Sequence, residues 1–417
     1  MATIAPFGRP FSMMAKPISA CCNLSCAYCY YKGTRDEHNS VSSEFFHHST
    51  SLVEMKDSLL EEFIRQYIEA QTVSEVMFTW HGGEPLMLSI SFFQKVLKWQ
   101  QYYAQGRRIS NSLQTNGTLL TDEWCRFFAD NHFLIGISID GPKDQHDVYR
   151  RNYADAPSFD RVMHGLELLN RYGVEWNALA TVNATNVHEP RRFYEFFRSI
   201  DCRFLQFTPV VERVPLHANE SSHSFLPGTT EGGEVLPFSV TPEAWGNFLC
   251  EVFDLWVRRD VGSVFVQLFD ATLANWVSVQ PGVCSMGKDC GNASVIEADG
   301  TVYVCDHFAF PNFRLGNIRQ QTITSMIYGE RLRHFARQKI DALTPQCKKC
   351  RFLFACHGEC PRNRFVRDVN GHFGHNYLCA GYYRFFTHVS LAMNFMAREL
   401  REGRPPANIM QHLPSLL

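Results

Sequence analysis

The chain has 417 residues, of which 45% are hydrophobic and 20% charged, so it can bury a sizeable core and form about two to three domains. Its formal net charge of -2 gives no basic field for nucleic acid, and residues 1–20 lack the apolar segment of a signal peptide. No apolar run approaches the ~18 residues of a membrane-spanning helix, so we expect a cytoplasmic protein with neither nucleic-acid nor membrane partners.

Short apolar runs alternate with helix-like segments between residues 11 and 208. This rhythm of repeated β-α units predicts an α/β fold with a parallel sheet of six strands, forming an open or partial (β/α)6 barrel. The predicted strands lie at 13–19, 76–80, 109–113, 133–139, 175–182 and 204–207, and the predicted helices near 54–71, 91–104, 121–131, 158–171 and 188–199.

The pattern changes after residue 208. Residues 209–240 are polar and rich in Gly, Ser and Pro, which predicts a surface insertion. Helical periodicity returns at 241–259, with Thr241 as the expected N-cap and Pro242 at the first helical position. The predicted domains are 1–280, the barrel with its insertion; 281–381, a cysteine-rich domain; and 382–417, a C-terminal helical segment.

Cysteine is unusually frequent, with fifteen residues in the chain and eleven of them in two clusters within 22–29 and 284–379. Disulfide-rich proteins are typically small and secreted, whereas clustered cysteines in a large cytosolic chain more often bind metal. Thiolates are soft ligands that suit zinc and iron-sulfur clusters. The two clusters therefore indicate metal sites.

The first cluster, Cys22, Cys26 and Cys29, follows the first predicted strand with the spacing Cys-x3-Cys-x2-Cys. Three thiolates leave one iron of a cubane without a protein ligand, whereas structural zinc sites take four protein ligands. The triad therefore favours a 4Fe-4S cluster with an open iron. With the aromatic Tyr28 before the last cysteine, this segment resembles the radical S-adenosylmethionine superfamily, in which the cofactor chelates that iron.

Polar residues follow successive predicted strands, at the end of the barrel where β-α folds place their chemistry. The segment Gly82-Gly83-Glu84-Pro85 resembles the superfamily's methionine-binding turn, which implies that Glu84 receives the cofactor's ammonium group. Arg150 would then hold its carboxylate by a charge-assisted fork. The full set of residues expected at the cofactor is Tyr28, Gly82, Gly83, Glu84, Ser138, Arg150 and Leu205.

The second cluster holds eight cysteines, enough for two sets of four: Cys284, Cys290, Cys305, Cys347, Cys350, Cys356, Cys360 and Cys379. Alternating residues around Asp299-Gly300 predict a type I′ hairpin between Cys290 and Cys305. The spacing from Cys290 onward matches the SPASM domain, which carries two iron-sulfur clusters. The alternative is a zinc-ribbon-like site, although it leaves four of the eight cysteines unused. Its ligands would be Cys347, Cys350, Cys356 and Cys360.

Segments along nearly the whole chain resemble the anaerobic sulfatase-maturating enzymes, among them AKPISACCNLSCAYCYY, MFTWHGGEPLM, SLQTNGTLL, GISIDGPKDQHDVYR and CSMGKDCGNASVIEADGTVYVCDHF. That family oxidises an active-site cysteine, and in some members a serine, of a sulfatase to Cα-formylglycine. The resemblance implies that Asp306 is the catalytic base and that Tyr31, Gln114 and Asn116 line the substrate cavity. It also implies a sulfatase with a Cys/Ser-x-Pro-x-Arg motif as partner, and a flavodoxin- or ferredoxin-type reductant.

The same resemblance divides the auxiliary cysteines between two 4Fe-4S clusters, so that the expected cofactors are S-adenosylmethionine and three 4Fe-4S clusters. One auxiliary set would be Cys284, Cys290, Cys305 and Cys360, and the other Cys347, Cys350, Cys356 and Cys379. A 5′-deoxyadenosyl radical would take a hydrogen from the substrate β-carbon, while Asp306 accepts a proton and an auxiliary cluster accepts an electron.

Two other functions compete with this one. A SPASM enzyme that forms thioether or carbon-carbon crosslinks in a peptide shares the same cysteine pattern, but residues 1–21 are too few for the peptide-recognition domain that many such enzymes carry there. A ferredoxin-like electron carrier would need only the eight auxiliary cysteines, and it would not explain the triad or the Gly-Gly-Glu-Pro segment.

Overall fold

Repeated β-α units form the first half of the protein in the computed structural model, which describes residues 10–31, 54–214, 228 and 230–412. The strands are β1 (Ser12–Lys16), β2 (Glu75–Trp80), β3 (Arg108–Thr115), β4 (Leu134–Ser138), β5 (Trp176–Val182), β6 (Phe204–Pro209), β7 (Arg213–Val214), β8 (Glu234–Val235), β9 (Phe265–Val266), β10 (Ala293–Glu297), β11 (Thr301–Tyr303), β12 (Arg314–Asn317), β13 (Val366–Arg367) and β14 (Phe373–His375). All six strands predicted from the sequence are present, and the mostly parallel pairing confirms the α/β class.

Helices follow most of these strands, as the alternation predicts. The α-helices are α1 (Asp57–Glu69), α2 (Ile90–Tyr103), α3 (Asp122–Asp130), α4 (Lys143–Tyr149), α5 (Phe159–Arg171), α6 (Pro190–Ser199), α7 (Pro242–Arg259), α8 (Gln267–Trp276), α9 (Ile323–Ile327), α10 (Glu330–Asp341), α11 (Pro345–Lys348), α12 (Leu353–Cys356), α13 (Cys379–Arg401) and α14 (Ile409–His412). None of them, within the described residues, is both long and apolar enough to span a bilayer.

The first structural unit combines Met1–Ser138, Arg151–Trp176 and Cys290–Gln338. Its strands lie in the order β12-β11-β10-β1-β2-β3-β4, and β10 and β1 to β4 run parallel. The buried rings of Phe63 in α1 and of Phe78 and Trp80 in β2 pack with centroids 5.9 to 6.2 Å apart. Parallel strands place their carboxyl ends at one edge, so the loops that leave this unit's strands meet there.

The second unit combines Ile139–Arg150, Asn177–Asp289 and Lys339–Leu417. It contains the parallel strands β5, β6 and β9 and the helices α7 and α13. These helices approach closely at two glycines, because a methyl group on Gly246 would lie 2.8 Å from the Cα of Gly381. Both units are built from separate segments of the chain, so the predicted domain boundaries at residues 280 and 381 stay a prediction.

Two local predictions about the second half of the chain are confirmed. The hydroxyl of Thr241 accepts a hydrogen bond from the Ala244 N–H at 3.2 Å and so caps α7, with Pro242 at its first position. The predicted C-terminal helix is α13. Of the predicted insertion at 209–240, β7 and β8 form a short antiparallel pair, and residues 215–227 and 229 lie outside the described residues.

The predicted type I′ turn at Asp299-Gly300 is wrong. The strands β10 and β11 do form a hairpin, but only Gly300 has a positive φ, of 86°, whereas a type I′ turn requires positive φ at both central residues. The Gly300 N–H donates to the Glu297 carbonyl at 2.9 Å. The glycine therefore follows the turn in the left-handed position of a longer loop, which is the other common use of glycine in hairpins.

Candidate active site

The carboxyl ends of β1 to β4 form the edge of the first unit that carries the predicted chemistry. Lys16, Trp80, Thr115 and Ser138 are the last residues of these four strands. The cysteine triad follows β1, the Gly-Gly-Glu-Pro segment follows β2, and Asn116 follows β3. Adjacent parallel strands thus bring three sequence motifs to one edge of the sheet.

Glu84 is a fully buried carboxylate at this edge. One oxygen accepts hydrogen bonds from the Thr115 hydroxyl at 2.7 Å and the Leu86 N–H at 3.0 Å, and the other accepts from the Asn116 N–H at 2.7 Å. Burial raises its pKa to about 7, although these donors oppose the shift. A ligand ammonium beside Glu84 would stabilise the carboxylate form, so the site suits the predicted cofactor group.

The Gly-Gly-Glu-Pro segment is joined to the triad loop by backbone hydrogen bonds. The Gly83 N–H donates to the Ser19 carbonyl at 2.7 Å, and the Glu84 N–H donates to the Cys21 carbonyl at 2.8 Å. A methyl group on Gly83 would lie 1.7 Å from the Cys21 oxygen. Only glycine therefore allows the two backbones to approach this closely.

Replacing Gly83 with alanine should displace the triad loop, since overpacking of this kind costs the native structure about 1–3 kcal/mol. If binding of S-adenosylmethionine must restore the native position of the loop, that cost comes out of the binding free energy, and we expect the affinity to fall by about tenfold or more. Binding to the reconstituted protein would be measured by equilibrium dialysis. Gly282→Ala is the matched control, because a methyl group there meets nothing within 4 Å. Equal affinities for the two variants would contradict a close approach at Gly83.

The triad loop is held by several polar contacts. The Leu24 N–H donates to the Cys22 sulfur at 3.4 Å, and the Asn116 amide donates to the side-chain oxygen of Asn23 at 2.8 Å and contacts the Cys22 sulfur at 3.8 Å. Hydrogen-bond donors stabilise a thiolate, which is the form that binds iron. Asn116 thus contacts the triad loop, and its contact with the substrate stays a prediction.

Asp306, the predicted base, lies against Lys16 and Tyr30. Its first carboxylate oxygen pairs with the Lys16 ammonium and its second accepts the Tyr30 hydroxyl. Burial tends to raise the pKa of Asp306, but the Lys16 charge outweighs this effect, and the pKa lies well below its usual range. The side chain is therefore an ionised carboxylate near neutral pH, and 18% of it is exposed.

Tyr31, predicted to line the substrate cavity, is buried beside the same lysine. The Lys16 nitrogen lies 3.4 Å from the centre of the Tyr31 ring, and the Tyr31 hydroxyl donates to Glu297 at 2.6 Å. Burial raises the pKa of Tyr31 well above its ordinary value, so this hydroxyl stays protonated. Lys16, Tyr30 and Glu297 were not predicted from the sequence. A lysine at the end of an apolar strand, as at Lys16, could have indicated a buried charge.

In the second unit, Arg150 forms a fork on Asp140. Its Nε lies 2.8 Å and one Nη 3.1 Å from the two carboxylate oxygens. The Asp140 carboxylate also accepts the Thr181 N–H at 2.8 Å, so it is fixed from two sides. The sequence did not reveal this pair.

The predicted contact of Arg150 with a cofactor carboxylate stays a prediction. The same holds for the predicted roles of four further residues, the half-buried Ser138 and Gln114 and the buried Tyr28 and Leu205.

Four auxiliary cysteines of the second unit lie close together. Burial, and to a smaller extent negative charge on Cys347 and Cys350, raise the pKa of Cys379 to about 12. Burial, followed by Cys379, likewise raises the pKa of the Cys356 thiol. These four cysteines are therefore close enough to interact electrostatically, and so is Cys360, whose charge acts on Arg364 together with the charges of Cys347 and Cys356.

Positively charged side chains hold the backbone around the auxiliary cysteines of this unit. The buried Lys339 ammonium donates to the carbonyls of Cys284 at 2.6 Å and Ser285 at 2.9 Å. Arg364 donates to the Gly358 carbonyl at 2.9 Å and the Lys339 carbonyl at 2.6 Å. Positive charges near thiolates favour their ionised form, so the surroundings suit an anionic cluster.

Across the described ranges, no three His, Cys, Asp or Glu side chains are arranged to hold one metal ion. A cubane binds one thiolate at each of up to four irons, so its ligands lie further apart than those of a single ion. The assignment of eleven cluster ligands therefore stays a prediction of the sequence.

Models of known families match the two regions that the motifs indicate. A model described as the radical SAM superfamily matches residues 17–197, and one described as an iron-sulfur cluster-binding domain, SPASM, matches residues 284–351. The predicted radical S-adenosylmethionine fold and cofactor class, with iron-sulfur clusters, are thereby confirmed.

Relatives extend this similarity over the whole chain. A serine-type anaerobic sulfatase-maturating enzyme of Bacteroides thetaiotaomicron is 52% identical, covering 99% of this chain and 97% of its own. A cysteine-type anaerobic sulfatase-maturating enzyme of Clostridium perfringens is 30% identical, covering 91% and 96%. A solved structure described as native anSMEcpe with bound AdoMet and Cp18Cys peptide is 29% identical, has a TM-score of 0.79, and covers 94% of this chain and 100% of its own.

The buried Glu84 site, the cysteine spacings and the full-length similarity all lead to one assignment. The chain is an enzyme that belongs to the anaerobic sulfatase-maturating family of the radical S-adenosylmethionine superfamily.

Proposed function

We propose that this enzyme oxidises the active-site serine of a sulfatase to Cα-formylglycine and also accepts cysteine at the same position. The observation that carries the proposal is the 52% identity, over 99% of the chain, to a relative named serine-type. Relatives named cysteine-type are also similar over most of the chain, at 30% and 32% identity. The serine preference revises the emphasis on cysteine that the sequence alone suggested.

The residues that would hold the cofactors fit them chemically. Cys22, Cys26 and Cys29 would bind the first of three 4Fe-4S clusters, and the eight auxiliary cysteines the other two. Glu84, a buried carboxylate with a raised pKa, would accept the ammonium group of S-adenosylmethionine, and Arg150 would meet its carboxylate. When bound, S-adenosylmethionine and the first cluster would supply a radical able to remove a β-hydrogen, and an auxiliary cluster would supply an electron acceptor.

A residue of the chain accepts the proton that the substrate hydroxyl or thiol loses. Oxidation of the substrate to an aldehyde or thioaldehyde releases the hydroxyl or thiol proton, which we assign to the carboxylate of Asp306. A thioaldehyde formed from cysteine then reacts with water, which replaces its sulfur by oxygen and releases hydrogen sulfide. Lys16 fixes one oxygen of this carboxylate, and the other oxygen, which meets the Tyr30 hydroxyl, is the acceptor. Although burial opposes the effect, Lys16 lowers the pKa of Asp306 and so weakens it as a base, and its contribution as a general base therefore depends on being held within hydrogen-bond reach of the substrate proton.

The substrate proposed here is a sulfatase segment with a Ser-x-Pro-x-Arg or Cys-x-Pro-x-Arg motif. A short extended segment can reach the loops at the carboxyl ends of the strands, where β-α folds bind their ligands. Side chains at this edge, including Tyr31, Gln114 and Asn116, are the proposed substrate contacts. A flavodoxin- or ferredoxin-type protein is the proposed source of electrons.

Peptides that carry the serine and cysteine motifs provide the test. With reductant and S-adenosylmethionine under anaerobic conditions, we expect the serine peptide to lose the mass of one hydrogen molecule and both products to react with a hydrazine probe for aldehydes. Mass spectrometry and probe labelling would be measured on the same samples. A peptide with alanine at the target position is the matched control.

Two outcomes would contradict the proposal. A hydrogen loss without hydrazine labelling would indicate an internal crosslink, which is the competing activity of SPASM enzymes. Labelling of the cysteine peptide alone would show that the serine assignment is wrong while leaving the aldehyde chemistry in place.

A further inference from the structure

Lys16 is an unusual residue for the end of a buried strand, because its side chain has no solvent exposure. It ends β1 and pairs in register with Glu297, the last residue of the neighbouring parallel strand β10. Burying an ammonium group costs several kcal/mol unless it is well paired. Such a residue therefore requires an explanation in terms of the charges around it.

One carboxylate and an aromatic ring contact the Lys16 ammonium, and a second carboxylate lies nearby. Asp306 pairs with it directly, and the Tyr31 ring lies 3.4 Å away. Glu297 is 9% exposed and accepts the Tyr31 hydroxyl at 2.6 Å. Lys16 and Tyr31 thus link the predicted base to a second buried carboxylate on the adjacent strand.

Lys16, Asp306, Glu297 and Tyr31 form a buried group of side chains, and the charges in and around this group define what Lys16 contributes. Burial lowers the pKa of His81, which lies beside this group, to about 4, so this imidazole is neutral near pH 7. Burial raises the pKa of Glu297, although the nearby Lys16 charge opposes that effect. Without Lys16, two neighbouring carboxyl groups would lie in a site of low dielectric with no counter-charge from Lys16, which is unfavourable.

We propose that Lys16 is a positioning residue for the oxidation of the substrate: its ammonium balances Asp306 and Glu297 and keeps the Asp306 carboxylate directed at the substrate proton. This inference rests on the proposed function, in which Asp306 is the base. Lys16 touches neither substrate nor cofactor in this role, since it acts through Asp306. Tyr31 supports the arrangement by covering the ammonium with its ring and fixing Glu297 with its hydroxyl.

A charge-compensation series tests the role of Lys16. Lys16→Met keeps the length of the side chain but removes its charge, and we expect the ratio of aldehyde to deoxyadenosine to fall by about tenfold, within the range of couplings between contacting residues. Adding Glu297→Gln removes the like charge that remains and should restore part of that ratio. Lys16→Arg keeps a cation and should stay closer to the wild-type ratio than Lys16→Met.

Readouts other than product ratio separate positioning from structure. We expect the iron content, the melting temperature and the KM for the peptide to change little in the double variant, because Tyr30 and Tyr31 remain in place. Lys98→Met is the matched control, since Lys98 also lies over an aromatic ring, 4.7 Å from the centre of Trp99, but is exposed. Its product ratio should equal that of the wild type.

The inference is overturned if Lys16→Met keeps the wild-type ratio, or if aldehyde and deoxyadenosine fall in the same proportion in every variant that retains its iron. If Lys16→Met does not fold, the double variant and Lys16→Arg decide by the same criterion. Absence of aldehyde from the wild-type enzyme would instead overturn the proposed function. Wild-type aldehyde with an unchanged ratio in the variants would remove only the role of Lys16.

Discussion

Replacing Cys22, Cys26 and Cys29 together with alanine should abolish cleavage of S-adenosylmethionine and lower the iron content from about twelve to about eight atoms per chain. The reason is that these three thiolates would hold the cluster with the open iron, while the other eight cysteines would hold two complete clusters. Iron would be counted after anaerobic reconstitution, and deoxyadenosine and methionine would be measured by chromatography.

Cys125→Ala is the control for the triad. Cys125 is fully buried in α3 and lies outside both cysteine clusters of the sequence. We expect this variant to keep its iron and its cofactor cleavage. Deoxyadenosine formation by the triple variant, or tightly bound zinc in place of the auxiliary iron, would contradict the three-cluster assignment.

Replacing Asp306 with asparagine should separate the two halves of the reaction. Asparagine has nearly the size of aspartate but cannot take the substrate proton, so we expect the formylglycine yield to fall by about 10²-fold or more, the usual scale for loss of a general base. Deoxyadenosine should still form, because the triad and Glu84 do not depend on this carboxylate. Both products would be quantified from one reaction mixture.

Asp299→Asn controls for the same change elsewhere on the hairpin that leads to Asp306. Asp299 is exposed and accepts the Thr301 N–H at 2.8 Å, and the asparagine oxygen can make the same contact. Its product yield should stay near that of the wild type. A parallel loss of aldehyde and deoxyadenosine in Asp306→Asn, with iron intact, would rule out the base role; no loss of either would leave Asp306 as a structural carboxylate.

Several parts of the fold follow from local sequence. The alternation of apolar runs and helix-like segments predicted all six parallel strands of the first half because buried strands and amphipathic helices differ in their periodicity. The cap of α7 was predicted because a threonine hydroxyl at the N-cap accepts an N–H of the first turn, and proline at the first helical position has no N–H that needs a partner. The hairpin turn was predicted wrongly because the same Asp-Gly pair fits more than one loop length, and strand register decides between them.

The sequence alone also determined the chemistry of the cysteines, since the spacings Cys-x3-Cys-x2-Cys and Cys-x2-Cys-x5-Cys-x3-Cys are local properties of short loops. Tertiary structure decided which charges meet. Lys16 and Glu297 are separated by most of the chain, and only the parallel pairing of β1 with β10 places them side by side. Asp306 reaches the same ammonium through the hairpin that follows β10. Such contacts depend on strand order and register, which no short motif encodes.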